Sequence, residues 1–265
     1  MPPSTAHPSA PLVALRGIGK SFPSRVRALA GLDLEVRPGE FVALLGPSGC
    51  GKSTVLRIIA GLTKPSEGVV EWDKATTVRK GETRLGYVFQ EPTLMPWASV
   101  FDNVALPLKL KRMRKARRIE RVEVALDRVG LGAFRRAYPR ELSGGMRMRV
   151  SIARALVTEP QILLMDEPFA ALDEITRFKL NEDLLQTWDA MRTTIVFVTH
   201  SVFESVYLAN RILVMAARPG RISTEVVIDT PYPRGRSFRT SPEYVGFCRR
   251  ASEALAVAMA VGGQS

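Results

Sequence analysis

The sequence predicts an α/β fold built on a mainly parallel sheet, and three features indicate it. Apolar runs of strand length, suited to strands covered on both faces, recur along the 265 residues. Helical stretches lie between them, and strands that alternate with helices form parallel sheets. A glycine-rich turn joins one apolar run directly to a helix. The composition, 46% hydrophobic and 24% charged, is that of a folded chain and excludes one that is disordered or fibrous throughout.

The apolar pattern places the elements in order along the chain. Period-two alternation predicts a half-buried strand at 32–36, and a continuous apolar run predicts a buried strand at 41–45. A helix is expected from about Lys52 to Gly61, a residue type suited to a helix C-terminus. Further buried strands are predicted at 162–166, 194–199 and 212–215, and further helices at 175–191 and 202–210.

The same pattern divides the chain into a core, an insert and two ends. Residues 11–91 and 160–230 are expected to form the two parts of the core. The segment between them, 92–159, is helical in pattern and strongly basic, which predicts a helical insert subdomain. Residues 1–10 are expected to be a disordered lead, and residues 231–265 a C-terminal extension that is partly helical.

Composition and charge narrow the class of protein. No apolar stretch approaches the ~20 residues needed to cross a bilayer, and the first residues lack the pattern of a secretory signal. Two cysteines, Cys50 and Cys248, provide neither a disulfide framework nor a paired metal-ligand pattern. The net charge of +12 is concentrated at 109–121, which has eight bases and one acid. That segment could attract nucleic acid or an anionic membrane face, or it could be a solvated helix surface and turn.

The strongest local pattern is a phosphate-binding loop, or P-loop. It consists of Gly46, Pro47, Ser48, Gly49, Cys50, Gly51, Lys52, Ser53 and Thr54. This run matches G-x-x-x-x-G-K-[ST] between a buried strand and a helix, which is the context that the motif requires. Lys52 is expected to reach the β- and γ-phosphates of a nucleotide, and Ser53 to bind Mg²⁺. Cys50 is interpreted as a small side chain that fits the loop, although its thiol could be alkylated when nucleotide is absent.

Two further strand ends carry candidate catalytic residues. Asp166 ends a buried run and is the expected Mg²⁺ partner, because hard cations prefer oxygen ligands. Glu167, one residue further, is suited to polarise an attacking water as general base. His200 follows the run at 194–199, and it is either a sensor of the γ-phosphate or a hydrogen-bonded packing residue.

A second glycine motif identifies the family. Leu142-Ser143-Gly144-Gly145-Met146 resembles the LSGGQ-type signature of ATP-binding cassette (ABC) ATPases, with Met146 replacing the commonest fifth residue. The other family elements occur in the expected order: an adenine-stacking aromatic (Phe22), the Q-loop glutamine (Gln90), the D-loop (Ala171-Leu172-Asp173) and the H-loop histidine (His200). The resemblance covers residues 12–227. Met148 stands where relatives usually carry glutamine, which is a second departure from the family pattern.

The resemblance implies a RecA-like P-loop NTPase core with an N-terminal antiparallel β subdomain and a helical insert subdomain. It implies ATP and Mg²⁺ as cofactors, with Gln90 meeting both the metal and the attacking water. Asp173 and Phe22 join the nucleotide-binding residues, and Glu167, His200 and Gln90 are the implied catalytic set. The family also implies a homodimer in which Ser143, Gly144 and Gly145 of one subunit contact the γ-phosphate held by Lys52 of the opposite subunit.

Narrower features resemble the nitrate/sulfonate/taurine group of importers. These are Gln90-Glu91-Pro92-Thr93-Leu94-Met95-Pro96-Trp97, Val100-Phe101-Asp102-Asn103-Val104 and Arg218-Pro219-Gly220-Arg221-Ile222. The likeness implies a peripheral subunit on the cytoplasmic face of the inner membrane, beneath two transmembrane permease subunits that work with an extracytoplasmic solute-binding protein. The docking groove is expected near 90–104. Alternatives are a soluble ABC-type ATPase that uses 109–121 on nucleic acid, a regulatory module without catalysis, and an exporter.

Overall fold

The computed structural model describes residues 10–23, 27–73 and 85–262. The strands are β1 (Val13–Ser21), β2 (Arg27–Val36), β3 (Phe41–Leu45), β4 (Glu67–Trp72), β5 (Leu85–Val88), β6 (Ile162–Asp166), β7 (Thr194–Thr199), β8 (Arg211–Ala216) and β9 (Arg221–Val227). The helices are α1 (Lys52–Ile59), α2 (Val100–Leu110), α3 (Lys115–Arg128), α4 (Gly144–Leu156), α5 (Glu174–Met191), α6 (Val202–Leu208) and α7 (Pro242–Gly262). The predicted disordered lead at 1–10 lies, apart from Ala10, outside the described residues.

Two sheets organise these elements. The larger has the strand order β5-β6-β7-β3-β8-β9, in which the first five strands are parallel and β9 pairs antiparallel with β8. The smaller is antiparallel, with the order β2-β1-β4. These sheets confirm the predicted α/β fold with its mainly parallel sheet and its N-terminal antiparallel β unit.

The larger sheet separates two apolar cores, because successive side chains of a strand point to opposite faces. In β3, Phe41, Ala43 and Leu45 join the core that contains the helical insert and α5 to α7. Val42 and Leu44 join the core that lies between this sheet, α1 and the antiparallel sheet. All five residues are buried, which explains why this strand has a continuous apolar sequence.

The segment 92–159 contains α2, α3, α4 and two short 3-10 turns. Its helices pack on one another through apolar side chains such as Leu108, Leu126 and Ile152, which belong to the first of the two cores. The basic stretch at 109–121 spans the end of α2 and the beginning of α3, and most of its charged side chains are exposed.

Parallel pairing brings three chain segments to one edge of the sheet. Strands β3, β7 and β6 are neighbours in that order, so their carboxyl ends lie side by side. The P-loop follows β3, His200 follows β7, and Asp166 is the last residue of β6. Ligand sites of open α/β sheets occur at this edge.

Candidate functional site

The P-loop is a glycine-dependent turn that opens outward. Gly49 and Gly51 have φ of 78° and 97°, which is the left-handed region that favours glycine. A Cβ on Gly51 would lie 2.7 Å from Leu29 Cδ2, and one on Gly46 would lie 2.8 Å from both Cys50 Sγ and the Met215 carbonyl oxygen. A Cβ on Gly49 would meet nothing within 4 Å. The loop is therefore tightly backed on its inner side and has space on its outer side.

Helix α1 begins at this loop without the side-chain cap that α2, α4, α5 and α6 have. Gly51 occupies the cap position and makes no side-chain hydrogen bond. By contrast, four helices have a cap side chain that accepts a hydrogen bond from an N–H of the first turn. These caps are Ser99 for α2, Ser143 for α4, Asp173 for α5 and Ser201 for α6. An uncapped first turn presents free N–H groups and the positive end of the helix dipole, which suits a phosphate.

Lys52 and Glu167 face each other within the site. Lys52 is buried, and its Nζ donates hydrogen bonds to the carbonyl oxygens of Gly46, at 2.8 Å, and Pro47, at 3.0 Å. The same Nζ lies 3.5 Å from Glu167 Oε1. The lysine charge is thus held across the loop, at the position where the γ end of a triphosphate is expected.

Ser53 and Asp166 bring two hard oxygen donors together. Ser53 Oγ donates to Asp166 Oδ1 at 2.7 Å, and the Tyr87 hydroxyl donates to Asp166 Oδ2 at 3.3 Å. Burial and the neighbouring Asp166 charge both raise the pKa of Tyr87, so its hydroxyl remains a donor. A hydroxyl and a carboxylate at this spacing fit Mg²⁺, which keeps several other oxygen ligands. Among the described residues, no group of three or more His, Cys, Asp or Glu side chains could hold a metal by itself.

Glu167 has a strained backbone and contacts His200. Its φ of 45° lies in the left-handed region, which non-glycine residues adopt at a cost and which is common at functional sites. Its N–H donates to the Val198 carbonyl at 3.0 Å, so the turn is fixed on the neighbouring strand. His200 Nδ1 lies 3.2 Å from Glu167 Oε2. The contact favours a role for His200 at the site over one in packing.

Cys50 is packed on the inner side of the P-loop. Its side chain is 1% exposed, with Sγ against the inner side of the loop, and burial raises the pKa of the thiol. Alkylating reagents need an accessible thiolate. The packing agrees with the interpretation of Cys50 as a small side chain that fits the loop, and its alkylation in the absence of nucleotide stays a prediction.

Phe22 and Gln90 lie on segments that border this cluster. Phe22 follows β1, whose last residue, Ser21, pairs with Arg27 at the beginning of β2. Leu29, two residues after Arg27 on β2, packs against Gly51 of the P-loop. The half-exposed Phe22 therefore follows a strand whose neighbour in the sheet contacts the P-loop. Gln90 is exposed two residues after β5, the neighbour of β6 in the sheet.

The signature residues form a second, separate cluster. Ser143 Oγ accepts the N–H of Met146 at 3.3 Å and begins α4. A Cβ on Gly144 would lie 3.3 Å from Leu172 Cδ2, and one on Gly145 would lie 2.7 Å from Thr176 Cγ2. Asp173 caps α5 by accepting the Thr176 N–H at 2.9 Å, and this hydrogen bond lowers the pKa of Asp173. Within one chain these contacts join the signature to the D-loop rather than to the P-loop.

Sequence reasoning missed two residues that support the site. Tyr87 contacts Asp166 from the neighbouring strand, and nothing in its local sequence indicates this. Gly220 donates its N–H to the Ala28 carbonyl at 2.9 Å, and a Cβ there would overlap the Cys50 carbonyl oxygen. The turn between β8 and β9 therefore packs against the back of the P-loop. The sequence Pro219-Gly220 predicts a turn, but it does not indicate that this turn contacts the P-loop.

These elements define the class of protein. A P-loop before an uncapped helix, an aspartate beside the P-loop serine and a glutamate in contact with lysine and histidine form the site of a P-loop ATPase. No helix in the described part of the chain is long and apolar enough to span a bilayer.

Comparison with known proteins gives the family. The model of the ABC transporter family matches residues 29–170. An uncharacterized ABC transporter ATP-binding protein of Methanocaldococcus jannaschii is 50% identical over 227 residues, covering 86% of this chain and 84% of the relative. The aliphatic sulfonates import ATP-binding protein SsuB of Bacillus subtilis is 44% identical over 222 residues, covering 84% of each chain. This chain belongs to the ABC transporter family and is an ABC-type, ATP-hydrolysing cassette.

Solved structures agree with this assignment. The cbiO1 protein of Clostridium perfringens, part of the ABC transporter complex cbiONQ, superposes with a TM-score of 0.74 at 28% identity, covering 83% of this chain and 90% of that one. A dimeric ATP-binding cassette in a post-hydrolysis state, bound to ADP and Pi, superposes with a TM-score of 0.71 at 34% identity, covering 83% and 100% of the two chains.

Proposed function

We propose that this chain is the ATP-binding and ATP-hydrolysing subunit of an importer for a small anionic solute of the nitrate/sulfonate/taurine type. The observation that carries the proposal is its 44% identity to an aliphatic sulfonate import subunit over 84% of both chains. The alternative of a soluble ATPase that acts on nucleic acid has no support among these relatives.

In this proposal the P-loop, from Gly46 to Thr54, holds ATP together with Lys52, and Phe22 stacks on the adenine. Ser53 and Asp166 hold Mg²⁺, assisted by Gln90, because their oxygens already lie 2.7 Å apart. ATP with Mg²⁺ supplies the phosphoanhydride whose hydrolysis drives transport. Lys52 neutralises charge at the phosphates, which is its role in P-loop enzymes.

Glu167 is the proposed general base. Its two carboxylate oxygens are held by different groups, Oε1 by Lys52 and Oε2 by His200. The side chain is 19% exposed, so it can still reach a water at the edge of the sheet. His200 orients the carboxylate, and the fixed turn beneath Glu167 limits its motion.

The complete site is proposed to need two copies of the chain. Ser143, Gly144 and Gly145 lie in a cluster apart from Lys52. The Ser143 hydroxyl occupies only the N–H of Met146 at the beginning of α4, and the proposal assigns the N–H groups of Gly144 and Gly145 to a phosphate. A head-to-tail homodimer places this cluster over the P-loop of the opposite subunit, with Asp173 at the same interface. The related cassette with ADP and Pi, which is 34% identical, is dimeric, and this supports a dimer of the present chain.

Two transmembrane permease subunits are the proposed membrane partners. The segment 90–104 has Trp97 77% exposed, and a nearby cavity of about 470 Å³ is lined by Phe89, Leu110 and Arg154. Arg154 Nη1 and Nη2 donate to the Thr93 and Pro92 carbonyls at 2.8 Å, which anchors the segment on α4. An anchored loop with an exposed aromatic ring suits the docking of a partner. In the same proposal, this chain lies on the cytoplasmic face of the membrane, and an extracytoplasmic solute-binding protein acts through the permease.

The hydrolysis step is tested with Glu167→Gln, which removes the base but keeps the size of the side chain. We expect phosphate release to fall by roughly 10²–10⁴-fold while ATP still binds. Lys52→Ala should instead weaken nucleotide binding. Glu159→Gln, an exposed carboxylate on the insert, is the control. Normal phosphate release by Glu167→Gln would contradict the assignment.

The import step is tested by reconstituting the chain with the permease and solute-binding proteins encoded beside it. We expect the ATPase rate to rise when an alkanesulfonate, taurine or nitrate is supplied with the solute-binding protein. Stimulation by DNA or RNA instead, with binding that falls steeply with salt, would favour action on nucleic acid.

A further inference from the structure

A buried polar cluster lies directly behind His200, where α5 and α6 pack together. Glu204, on α6, is only 7% exposed. Its Oε2 accepts a hydrogen bond from the hydroxyl of Thr199, the residue before His200, at 2.5 Å. The same hydroxyl accepts the N–H of Ser201, the residue after His200, at 3.0 Å. The backbone on both sides of His200 is therefore tied to one buried carboxylate.

Arg177, on α5, connects this carboxylate to the D-loop. Its Nε lies 3.8 Å from Glu204 Oε1, and its Nη2 donates to the Leu172 carbonyl at 2.8 Å. Burial raises the pKa of Glu204, whereas the Thr199 hydrogen bond and the Arg177 charge oppose that rise. The guanidinium thus favours the charged carboxylate and at the same time fixes the last residue before the cap of α5.

The D-loop in turn packs against the beginning of α4. Leu172 and Thr176 are the nearest groups to the positions that Cβ atoms of Gly144 and Gly145 would occupy, at 3.3 Å and 2.7 Å. There is no room for a side chain at Gly145. Leu172 accepts a hydrogen bond from Arg177, and Thr176 precedes Arg177 in the sequence, so both join the beginning of α4 to the arginine.

These contacts form one continuous series through the chain. It starts at the signature glycines, passes through the D-loop, Arg177 and Glu204, and ends at His200, which contacts Glu167. We propose that Arg177 and Glu204 are positioning residues that couple the two nucleotide sites of the homodimer. When a nucleotide binds at the signature of one subunit, the effect is transmitted through these contacts to His200, which lies beside the P-loop of the same subunit. The inference rests on the proposed function, since it requires the head-to-tail homodimer.

The test uses the full chain and measures ATP hydrolysis against ATP concentration. The variants are Glu204→Gln, which keeps an acceptor for Thr199 but loses the charge, Arg177→Lys, and the two together. The control is Glu182→Gln, because Glu182 lies on the same helix and pairs with Arg236 away from the series. Affinity for ADP is measured separately, since it reports the P-loop alone, and thermal unfolding reports the fold.

We expect each variant to lower kcat on the order of 5–50-fold and to move the Hill coefficient for ATP from above 1 towards 1. Affinity for ADP should be unchanged, and the control should behave as wild type. The double variant should lose little more than either single one, because the two residues act through one contact. Glu204→Asp, which keeps the charge, should recover part of the loss.

Three results would overturn the inference while leaving the ATPase assignment intact. One is a variant that keeps both kcat and the Hill coefficient of the wild type. Another is a set of losses that simply add in the double variant. The third is a wild-type enzyme that hydrolyses ATP without cooperativity. If the wild type did not hydrolyse ATP at all, the proposed function itself would fail, which is a distinguishable result. If Arg177→Lys did not fold, Glu204→Gln and Glu204→Asp would decide.

Discussion

Gly145 is required by packing as well as by any contact with a nucleotide. A Cβ at this position would lie 2.7 Å from the Thr176 methyl group, whereas one at Gly144 would lie 3.3 Å from the end of a leucine. Threonine is stiff about χ1, so its methyl cannot easily move away. Gly145 therefore lets the beginning of α4 approach α5 closely.

This contact gives a prediction on stability. We expect Gly145→Ala to be less stable than Gly144→Ala by about 1–3 kcal/mol, because it overpacks a tight contact. Thr176→Ser removes the methyl group and should restore most of the loss in a Gly145→Ala background. Urea unfolding at matched m-values measures both effects. Equal stability of the two alanine variants would show that the helices separate without cost.

Residues of the site differ in how far the sequence reveals them. Lys52, Asp166 and Glu167 stand at fixed positions in short motifs whose flanking strands are also readable, so local sequence is sufficient. Tyr87 and Gly220 act through contacts with residues 79 and 170 positions away, and only the order of strands in the sheet creates them. The contact of His200 with Glu167 likewise depends on β6 and β7 being neighbours in the sheet, which local sequence does not specify.

Among the helices, α3 begins in an electrostatically unfavourable way. Its first turn has no acidic residue, and Arg114 at the cap position makes no side-chain hydrogen bond. Lys115, Arg117 and Arg118 instead add positive charge at the positive end of the helix dipole. The basic segment thus reduces the stability of its own helix.

Replacing one of these bases with an acid should stabilise the chain. We expect Lys115→Glu to raise the free energy of unfolding by about 0.3–1 kcal/mol, and Lys115→Gln by less. The gain should shrink in 1 M salt, where the Debye length is about 3 Å. Chemical unfolding at low and high salt measures it. A gain that is independent of salt would mean that propensity, not charge, is responsible.

At the scale of elements, burial decides which strands were predictable. The strands β6 and β7 are buried along their whole length, and their predicted bounds of 162–166 and 194–199 are confirmed. No strand was predicted at β1, β4, β5 or β9, none of which is buried along its whole length. The helix predicted to end at Asn210 ends at Leu208, because Ala209 is already extended.

At the scale of the whole molecule, the C-terminal extension is bound to the core through Arg234. This side chain is 4% exposed and donates to five carbonyl oxygens, those of Val206, Tyr207, Ala209, Ile228 and Thr230. The guanidinium also stacks on the Tyr232 ring, at 4.2 Å from its centroid. It therefore caps the carboxyl end of α6 and holds the extension against it.

A pair of arginine variants tests this role. Arg234→Met leaves five buried or half-buried acceptors without their charged donor, and we expect a loss of more than about 3 kcal/mol. Arg236→Met is the control, since that side chain is 87% exposed and its ion pair contributes at most about 1 kcal/mol. Thermal unfolding of both variants measures the difference. Similar losses in the two would mean that the extension folds independently of the core.

The turn at Gly220, packed on the rear of the P-loop, limits how short a working fragment can be. The motifs of the nucleotide site end at His200, yet the P-loop also packs against the Met215 carbonyl oxygen and against this turn. A polypeptide that ends just after His200 would contain all the motifs of the nucleotide site. It would lack the residues that pack against the rear of the P-loop. The shape of the P-loop is thus determined in part by residues well beyond the last predicted site residue.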